Sequence, residues 1–389
     1  MRVLFTCVGG PGHLNPLLPI SRAVADLGHE VLWATTAGLR RPVEDAGFAH
    51  HLLGAAAAPA APRPRGPLIP PDPRLVEEEV REHFVRRATR ERWPHLRALV
   101  GDWRPDLVVC DEFDFAAVLA AEEADVPHAS VLVTAAGLLV RPDVVGEALA
   151  EVRAGCGLPA DPGLTALGRY LRLSPFPPSF PAPGAWRCGT EHAVRPPLPR
   201  RAGERPDWAR VRPGAPVVYF TLGTEFGVES GDVFERVLAG LRELPVNLLM
   251  TVGRDIDPAG FGPQPAHVRV ERYVAQDEVL PHCDVVVSHG GSGTVVGSLA
   301  HGVPGVLVPL GADQPANAER WVELGVGLAL DAVAVTPADA RAAVAEVLAG
   351  DGYRRAAERL RDELVALPGP GHAAALLDRV GRTRRPVTA

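Results

Sequence analysis

A glycine-rich run in the second half of the sequence has the residue types and spacing of an anion-binding turn. Residues 284–288 are β-branched and almost wholly apolar, which predicts a short buried parallel strand. Residues 289–294 follow as a turn with three glycines, and residues 295–301 have the composition of a short helix that ends at Gly302 and Pro304. Because a helix N-terminus presents unpaired N–H groups and a positive dipole end, the run predicts a site for a diphosphate.

Polar side chains cluster in this turn. His289 offers a side-chain donor, and Ser292 and Thr294 offer hydroxyl groups. Strand-to-helix connections in α/β proteins are often rich in glycine, so a bare glycine turn could be purely structural. The three polar residues among the glycines favour the binding interpretation, in which the turn neutralises charge on the diphosphate without a metal.

His13 is a candidate general base in the first half of the chain. It follows an apolar strand predicted over residues 3–7 and precedes a helix predicted over residues 14–27, so its side chain is expected to point into a cleft. An imidazole with an unperturbed pKa of about 6.5 can remove a proton at neutral pH. A histidine here could instead cap the helix or contact a ligand without catalysis, and these residues alone leave both interpretations open.

Strands and helices alternate in both halves of the sequence. The strand at 3–7, the helix at 14–27 and a strand at 30–34 form a β-α-β unit, which implies a parallel sheet covered by helices. A long charged helix is predicted over residues 75–100, with a bend at Pro94. After a proline- and arginine-rich tract the pattern restarts, with strands predicted at 217–221, 246–252, 268–271 and 306–309.

The length and the proline-rich tract predict two domains. A chain of 389 residues is too long for one compact core. We expect an N-terminal Rossmann-like domain over residues 1–200, a linker over 201–215, a C-terminal Rossmann-like domain over 216–370, and a final segment, 371–389, that packs back on the N-terminal domain. Such a pair places a ligand cleft at the carboxyl ends of the strands.

Composition excludes several classes of protein. The formal net charge is -7, and the 40 basic residues, all arginine, form no stripe that would indicate nucleic-acid binding. The five cysteines are odd in number and widely spaced, which is typical of a reducing compartment. The N-terminus reads as a strand and not as a signal peptide, and no run approaches the roughly 18 apolar residues of a membrane span. We therefore expect a soluble cytoplasmic protein.

Five motifs resemble those of family-1 glycosyltransferases, and most closely the bacterial natural-product branch. The first half contributes residues 9–16 (GGPGHLNP). The second half contributes residues 221–224 (TLGT), 273–276 (YVAQ), 289–294 (HGGSGT) and 309–317 (PLGADQPAN). The resemblance covers essentially the whole chain. It implies an α/β fold of the GT-B architecture, in which two Rossmann-like domains with parallel sheets face each other across a cleft, and it implies hexosyl transfer from a nucleotide sugar.

The resemblance also implies a donor site. The histidine that contacts the phosphates in the family corresponds to His289, and an aromatic residue that stacks on the pyrimidine corresponds to Tyr273, although a core tyrosine is an alternative. Asp313 and Gln314 correspond to a pair that binds sugar hydroxyls, although Asp313 could simply begin a helix. The implied donor-binding residues are Gly223, Thr224, Tyr273, Val274, His289, Gly291, Ser292, Gly293, Thr294, Asp313 and Gln314.

In the same family the catalytic histidine is oriented by an aspartate at the end of a later strand. His13 matches the histidine, Asp111 matches the aspartate, and Asp114 is the alternative. Such a carboxylate would orient the imidazole and stabilise its cation. Inversion by a single direct displacement is then expected, with the nucleotide sugar as co-substrate and no cofactor or metal.

One departure from the wider family concerns the nucleotide. Relatives that use UDP-sugars commonly carry a glutamate eight residues after the motif histidine, where it binds the ribose hydroxyls, and this sequence has Gly297 there. A deoxyribose lacks the 2′-hydroxyl, so the absence of that glutamate favours a dTDP-deoxysugar over a UDP-sugar. Gly297 could instead serve helix packing.

The acceptor is less determined. The resemblance places it in the first half, where Phe84 and Trp93 of the predicted long helix could line a pocket for a small apolar aglycone. A non-catalytic nucleotide-sugar-binding or helper protein remains the alternative, although such a protein would need neither His13 nor Asp111. An epimerase is a third possibility, and it would need further acid–base carboxylates. The bond made, to oxygen, nitrogen or carbon, and the choice between monomer and homodimer remain open.

Overall fold

Two parallel β-sheets, one in each half of the chain, form the framework of the protein. The computed structural model describes residues 1–54, 65–197, 203–223 and 226–389. The first sheet has seven strands and the second has six, and every paired strand is parallel to its neighbour, as expected for a GT-B fold. The strands are β1 (Arg2–Thr6), β2 (Glu30–Thr35), β3 (Ala49–Leu52), β4 (Leu107–Asp111), β5 (His128–Val131), β6 (Leu171–Ser174), β7 (Glu191–Ala193), β8 (Val217–Thr221), β9 (Asn247–Thr251), β10 (Val268–Glu271), β11 (Val285–Ser288), β12 (Gly305–Leu307) and β13 (Gly327–Ala329).

The strand order creates one crevice in each sheet. In the first sheet the order is β3-β2-β1-β4-β5-β6-β7, so the chain leaves β1 towards one edge and returns on its other side at β4. In the second sheet the order is β10-β9-β8-β11-β12-β13, and the same reversal occurs between β8 and β11. Ligands of open α/β sheets bind at the carboxyl ends of the strands that flank such a reversal. The loops after β1, β4, β8 and β11 are therefore placed to form a site.

Helices cover both sheets. In the first half they are α1 (Pro11–Leu14), α2 (Leu18–Asp26), α3 (Arg40–Asp45), α4 (Pro73–Glu79), the π-helical segment Val80–Ala88, α5 (Thr89–Trp103), α6 (Phe115–Glu123) and α7 (Pro142–Gly155). In the second half they are α8 (Val233–Leu241), α9 (Gln276–Val279), α10 (Ser292–Ala300), α11 (Gln314–Glu323), α12 (Pro337–Ala349), α13 (Asp351–Ala366) and α14 (Pro370–Thr383). Short 3₁₀ turns lie at Ala37–Leu39, Asp207–Ala209, Phe226–Glu229, Pro258–Phe261 and Leu280–His282.

Three helices differ from the sequence expectations. The helix predicted over 14–27 is two helices, α1 and α2, and Pro16 lies in the break because it has no N–H to continue a helix. The helix predicted over 75–100 has a π-helical middle, and Pro94 lies inside α5. The helix predicted from residue 295 begins at Ser292, so the turn covers only residues 289–291 of the motif at 289–294.

The two halves meet through an apolar cluster. Leu132 and Phe180 from the first half pack with Val295, Leu299 and Trp321 from the second. Fully burying side chains of this size stabilises a contact by about 1.5–3 kcal/mol each. The final helix, α14, packs against α2 of the first half. Of the predicted linker at 201–215, residues 201 and 202 lie outside the described residues.

Candidate active site in the cleft between the two halves

The imidazole of His289 lies between two glycines. His289 follows β11, and a Cβ atom built on Gly223 would lie 2.6 Å from its Cε1 atom. A Cβ atom built on Gly291 would lie 2.5 Å from its Nε2 atom. Gly223 also has a φ angle of +76°, a conformation that favours glycine. The two glycines therefore make the space that this ring occupies.

His289 sits beside the N-terminus of a helix and is uncharged at neutral pH. His289 is 8% exposed, and burial lowers the pKa of its imidazole from 6.5 to about 4. A neutral imidazole donates a single hydrogen bond. The N-cap residue of α10 is Gly291, and no side chain caps the helix. The positive potential here therefore comes from the helix N-terminus, and His289 adds a donor rather than a charge.

His13 and Asp111 are in contact, as the resemblance implied. Nδ1 of His13 lies 3.2 Å from Oδ1 of Asp111, the last residue of β4. The carboxylate is 1% exposed, and it accepts hydrogen bonds from the backbone N–H groups of Val8 and Phe113, each at 2.7 Å. These bonds fix the carboxylate, so it holds Nδ1 of the ring and leaves Nε2 for another partner.

The surroundings of His13 favour its protonated form. Burial alone would lower the pKa of the ring, but the charge of Asp111 and its hydrogen bond act in the opposite direction. Glu112 and Asp313 add to this effect, so the pKa of His13 is raised from 6.5. His13 is therefore suited to accept a proton and to hold it as an ion pair with Asp111.

Two aromatic rings pack on His13. The Phe84 ring stacks on the imidazole with centroids 5.9 Å apart, and the Phe113 ring meets its edge at 5.6 Å. On another side, a Cβ atom built on Gly9 would lie 2.6 Å from Cδ2 of His13. Phe84 lies in the π-helical segment, a distortion found frequently at functional sites. The ring of His13 is thus held in place by apolar contacts as well as by Asp111.

Ser292 and Asp313 bind each other and the opposite half of the protein. The hydroxyl of Ser292 donates to Oδ2 of Asp313 and accepts from the backbone N–H of Ala135 at 2.6 Å. Nδ2 of Asn317 donates to both, at 3.2 Å to Ser292 and at 2.7 Å to Asp313. Burial raises the pKa of Asp313. The hydroxyl of Ser292, expected to contact a diphosphate, therefore serves the contact between the halves in this structure.

Thr294 and Gln314 are also engaged within the protein. The Thr294 hydroxyl accepts from Nε2 of Gln276 at 3.0 Å. Oε1 of Gln314 accepts from the N–H groups of Leu310 at 2.8 Å and of Gly311 at 3.2 Å. Both residues line the cleft, but these bonds use the Thr294 oxygen and the carbonyl oxygen of Gln314.

The other predicted donor residues lie in the same cleft, with one that cannot be placed. Gly223, Val274, Gly291 and Gly293 line it, together with His13, His289 and Asp313. Tyr273 lines it too and is 70% exposed, so it is not a core residue. Thr224 lies outside the described residues.

Trp93 is not at the site, whereas Phe84 is. The described residues that line the cleft include Phe84 but not Trp93, which packs against the core of the first half under the guanidinium of Arg97. The expectation that Trp93 lines the acceptor pocket is therefore wrong. The two residues are nine positions apart, Phe84 in the π-helical segment and Trp93 in α5, and they lie on different sides of the helix.

Sequence reasoning missed several polar residues of the donor side. Tyr219 and Thr251 line the cleft, and their hydroxyls lie 2.8 Å apart. Gln276, Arg254 and Arg272 line it as well. A polar residue inside the otherwise apolar run of β8 was the available signal for Tyr219, and the motif at 273–276 was the signal for Gln276; nothing local in the sequence marked Thr251, Arg254 or Arg272.

The cleft has the size of a ligand site. It encloses about 1000 Å³ and has apolar walls near His13 and polar walls near His289. In the described ranges no three His, Cys, Asp or Glu side chains are grouped closely enough to hold a metal ion. In the same ranges no helix is long and apolar enough to cross a membrane.

The two parallel sheets, together with a histidine–carboxylate pair and a helix N-terminus in one cleft, identify the class of protein as a GT-B glycosyltransferase. The sequence matches the family described as erythromycin biosynthesis protein CIII-like, in its N-terminal domain over residues 77–161 and its C-terminal domain over residues 235–379. The curated L-demethylnoviosyl transferase of Streptomyces niveus is 34% identical over 389 residues, which cover 95% of this chain and 96% of the relative.

Two further relatives agree. The tylactone mycaminosyltransferase of Streptomyces fradiae is 29% identical over 99% of this chain and 93% of the relative. The solved structure of the spinosyn rhamnosyltransferase SpnG complexed with thymidine diphosphate matches with a TM-score of 0.80 and 26% identity, covering 98% of this chain and all 100% of that one. The chain belongs to the bacterial natural-product glycosyltransferases of the erythromycin CIII-like family, and it is a hexosyltransferase, as its motifs indicated.

Proposed function

We propose that this enzyme transfers a deoxysugar from a dTDP-linked donor to a small apolar aglycone, with inversion at the anomeric carbon. The observation that carries the proposal is the placement of two different sites in one cleft. His13, paired with Asp111, lies after β1, where the strand order of the first sheet reverses. His289 and the N-terminus of α10 lie after β11, where the strand order of the second sheet reverses. The first can accept a proton and the second can hold a leaving diphosphate.

His13 acts as the base in this proposal. Nδ1 donates to Asp111, so Nε2 carries the lone pair that takes the proton from the acceptor hydroxyl. The acceptor oxygen forms its bond to the anomeric carbon as the bond from that carbon to the phosphate oxygen breaks. The electron pair of that bond leaves with the diphosphate, and the N–H groups at the start of α10 and His289 stabilise its charge. One displacement inverts the anomeric centre.

The surroundings of Gly297 support the proposal of a thymidine nucleotide. A Cβ atom built there would lie 3.1 Å from Cδ1 of Leu280 and 3.6 Å from Oε1 of Gln276. The apolar side chain of Leu280 therefore occupies the space beside position 297, where a relative with a ribose-binding glutamate has that side chain. SpnG, a relative by structure, was solved with thymidine diphosphate. Calorimetric titration with dTDP and with UDP tests the assignment, and tighter UDP binding would contradict it.

The acceptor side favours an apolar molecule. Phe84, Phe113, Val80, Val133 and Leu139 line the cleft on the side of His13. Desolvating this wall around an aglycone contributes about 25 cal/mol per Å² of apolar surface buried. The proposal therefore assigns the aglycone to this wall and the nucleotide to the opposite wall.

We also propose that transfer needs no metal or other cofactor. A helix N-terminus and an imidazole donor can stabilise a diphosphate without a cation. Full activity after treatment with EDTA would support this, and a loss restored by Mg²⁺ would overturn it.

The decisive experiment offers the protein a panel of nucleotide sugars and apolar aglycones and detects products by mass spectrometry. We expect a mass increase equal to one sugar with a dTDP-deoxysugar. His13→Ala should abolish this product while leaving dTDP affinity within about threefold. Binding of dTDP with no product from the native protein across the panel would favour the non-catalytic alternative, and product from the His13→Ala variant would overturn the assignment of the base.

A further inference from the structure

Three acidic residues lie within four positions at the end of β4, and each has a different partner. Asp111 bonds His13, Glu112 pairs with Arg172 at 3.5 Å, and Asp114 pairs with Arg92 at 2.6 Å. All three carboxylates are buried. Of these three carboxylates, only that of Asp111 has no arginine partner among the described residues.

The Arg92–Asp114 pair is anchored to the strand that leads to His13. Nη2 of Arg92 donates to the Thr6 hydroxyl of β1 at 2.9 Å, and that hydroxyl donates to Oδ2 of Asp114 at 2.8 Å. The backbone N–H of Asp114 donates to the carbonyl of Asp111 at 3.1 Å. The pair is therefore part of the same turn as the carboxylate that orients the histidine.

Stability of the fold is a weak explanation for this pair. Arg92 is 7% exposed, and its Nη1 atom is buried with no hydrogen-bond partner among the described residues. Taking two ions out of water is costly, and replacing a buried pair by apolar residues is often neutral or stabilising. The charge of the guanidinium is therefore the better explanation for an arginine at position 92, where one nitrogen lacks a hydrogen bond within the described chain.

The charged groups that act on His13 lie at the end of β4 and at the start of α11. Asp111 is the last residue of β4, Glu112 follows it, and Asp313 precedes α11. Cys7, after β1, stays a neutral thiol because burial raises its pKa well above 9.0. The same cleft is lined by the charged side chains of Glu79, Arg254, Arg272 and Asp277.

We propose that Arg92 is a positioning residue for proton transfer, which cancels the charge of Asp114 so that His13 interacts with Asp111 as its single uncompensated strand-end carboxylate. This inference rests on the proposed role of His13 as the base. Without Arg92, a second negative charge in the turn would hold the proton on the imidazole and remove the base at neutral pH. With Asp114 alone removed, the unpaired guanidinium would disfavour the imidazolium that must form.

The test uses Asp114→Asn and the double variant Asp114→Asn with Arg92→Met. Asparagine keeps the shape of the side chain and can still cap α6, where Asp114 accepts from the N–H of Ala117. Arginine cannot lose its charge, so the single variant leaves a buried cation. We expect the acidic limb of the kcat/KM–pH profile to move about one unit to lower pH in the single variant. In the double variant the limb should return to its native position.

A purely structural role predicts a different result, namely an unmoved limb in the single variant or greater damage in the double variant. Either outcome overturns the inference. If Asp114→Asn does not fold, the double variant and Arg92→Lys, which keeps the charge, still test it. In both variants the acidic limb of the kcat/KM–pH profile should lie within about half a pH unit of its position in the native enzyme. A larger shift of the limb in either variant contradicts the proposal. Activity retained in His13→Ala would instead overturn the proposed function, so the two failures are distinguishable.

Discussion

The hydroxyl of Ser292 accepts a hydrogen bond from the backbone N–H of Ala135 at 2.6 Å, and so joins α10 to the opposite half of the protein. The neighbouring bond from the N–H of Ala136 to Oδ1 of Asn317, at 2.9 Å, has the same geometry across the two halves. Ser292 therefore links α10 to the loop after β5 in the opposite half of the protein.

We predict that Ser292→Ala destabilises the protein by about 1–3 kcal/mol, because it leaves the buried N–H of Ala135 without its partner and removes one of the two side-chain hydrogen bonds to Oδ2 of Asp313. Urea denaturation measures the change. Ser298→Ala is the matched control in the same helix, since its hydroxyl only donates to the Thr294 carbonyl at 2.8 Å. Equal effects in the two variants would contradict the assignment of Ser292 to the contact between the halves.

Gly291→Ala should weaken dTDP binding at least tenfold. The added Cβ atom would lie 2.5 Å from Nε2 of His289, so the ring must leave its place beside the α10 N-terminus. Isothermal titration calorimetry measures the loss. Gly371→Ala makes the same change in the first turn of α14, where nothing lies within 4 Å, and it should bind normally. Unaltered affinity in Gly291→Ala would show that His289 does not hold the nucleotide.

Binding of dTDP should be accompanied by proton uptake at His289. Burial holds the pKa of this imidazole at about 4 without ligand, and a diphosphate beside it would raise that pKa. At pH 6, uptake of a fraction of a proton is expected and is measured by calorimetry in buffers of different ionisation enthalpy. His289→Gln keeps a donor but cannot titrate, so its uptake should be smaller. Identical proton uptake in both proteins would refute this prediction.

Much of the framework could be predicted from the sequence, because buried parallel strands are short apolar runs. The pattern identified β1, β8 and β11 to within about two residues, a usual uncertainty for such boundaries. The contact between His13 and Asp111 depends on β1 lying beside β4, a pairing across 98 positions that periodicity does not specify. Here the family resemblance supplied what the residue pattern could not.

Side-chain direction was less predictable than strand position. Ser292 was expected to face a diphosphate, but its partner Ala135 lies 157 positions away in the other half, and no local pattern indicates that contact. Trp93 was expected beside Phe84 because both belong to one charged helix. The two lie on different sides of the helix, and only Phe84 lines the cleft.

The stability of the protein should fall as the pH drops from 7 to 5, partly through His128. This side chain is buried, its Nε2 atom lies 2.7 Å from the Ala166 carbonyl, and burial lowers its pKa from 6.5 to about 4. Since the folded pKa is the lower one, the unfolded chain binds the proton first. The stabilisation is complete above about pH 6.5 and is lost as the pH falls towards 4.

At pH 5 this linkage amounts to about 2 kcal/mol for one histidine. The free energy of unfolding, measured in urea at pH 7 and pH 5, should therefore change less in His128→Gln, which keeps a donor for the Ala166 carbonyl but does not titrate. His51→Gln, at an exposed position, is the control and should behave as the native protein does. A His128→Gln variant with the native pH dependence would exclude His128 as a source of the effect.

Asp111→Asn should lower kcat by about 10²–10⁴-fold and also move the acidic limb of the pH profile. In the native enzyme the pKa of His13 is raised from 6.5, chiefly by Asp111 acting against burial, so activity should rise with pH through a midpoint above 6.5. Asparagine can accept the same hydrogen bond from Nδ1 but carries no charge.

Burial then dominates the titration of His13, so its pKa falls and the midpoint of the Asp111→Asn profile should lie below that of the native enzyme. Asp106→Asn provides the matched control, because Asp106 is an exposed carboxylate just before β4 that accepts from the N–H of Arg2 at 2.7 Å. Its profile should not move. A lower kcat in Asp111→Asn with an unchanged limb would mean that Asp111 orients the substrate or the fold rather than the proton on His13.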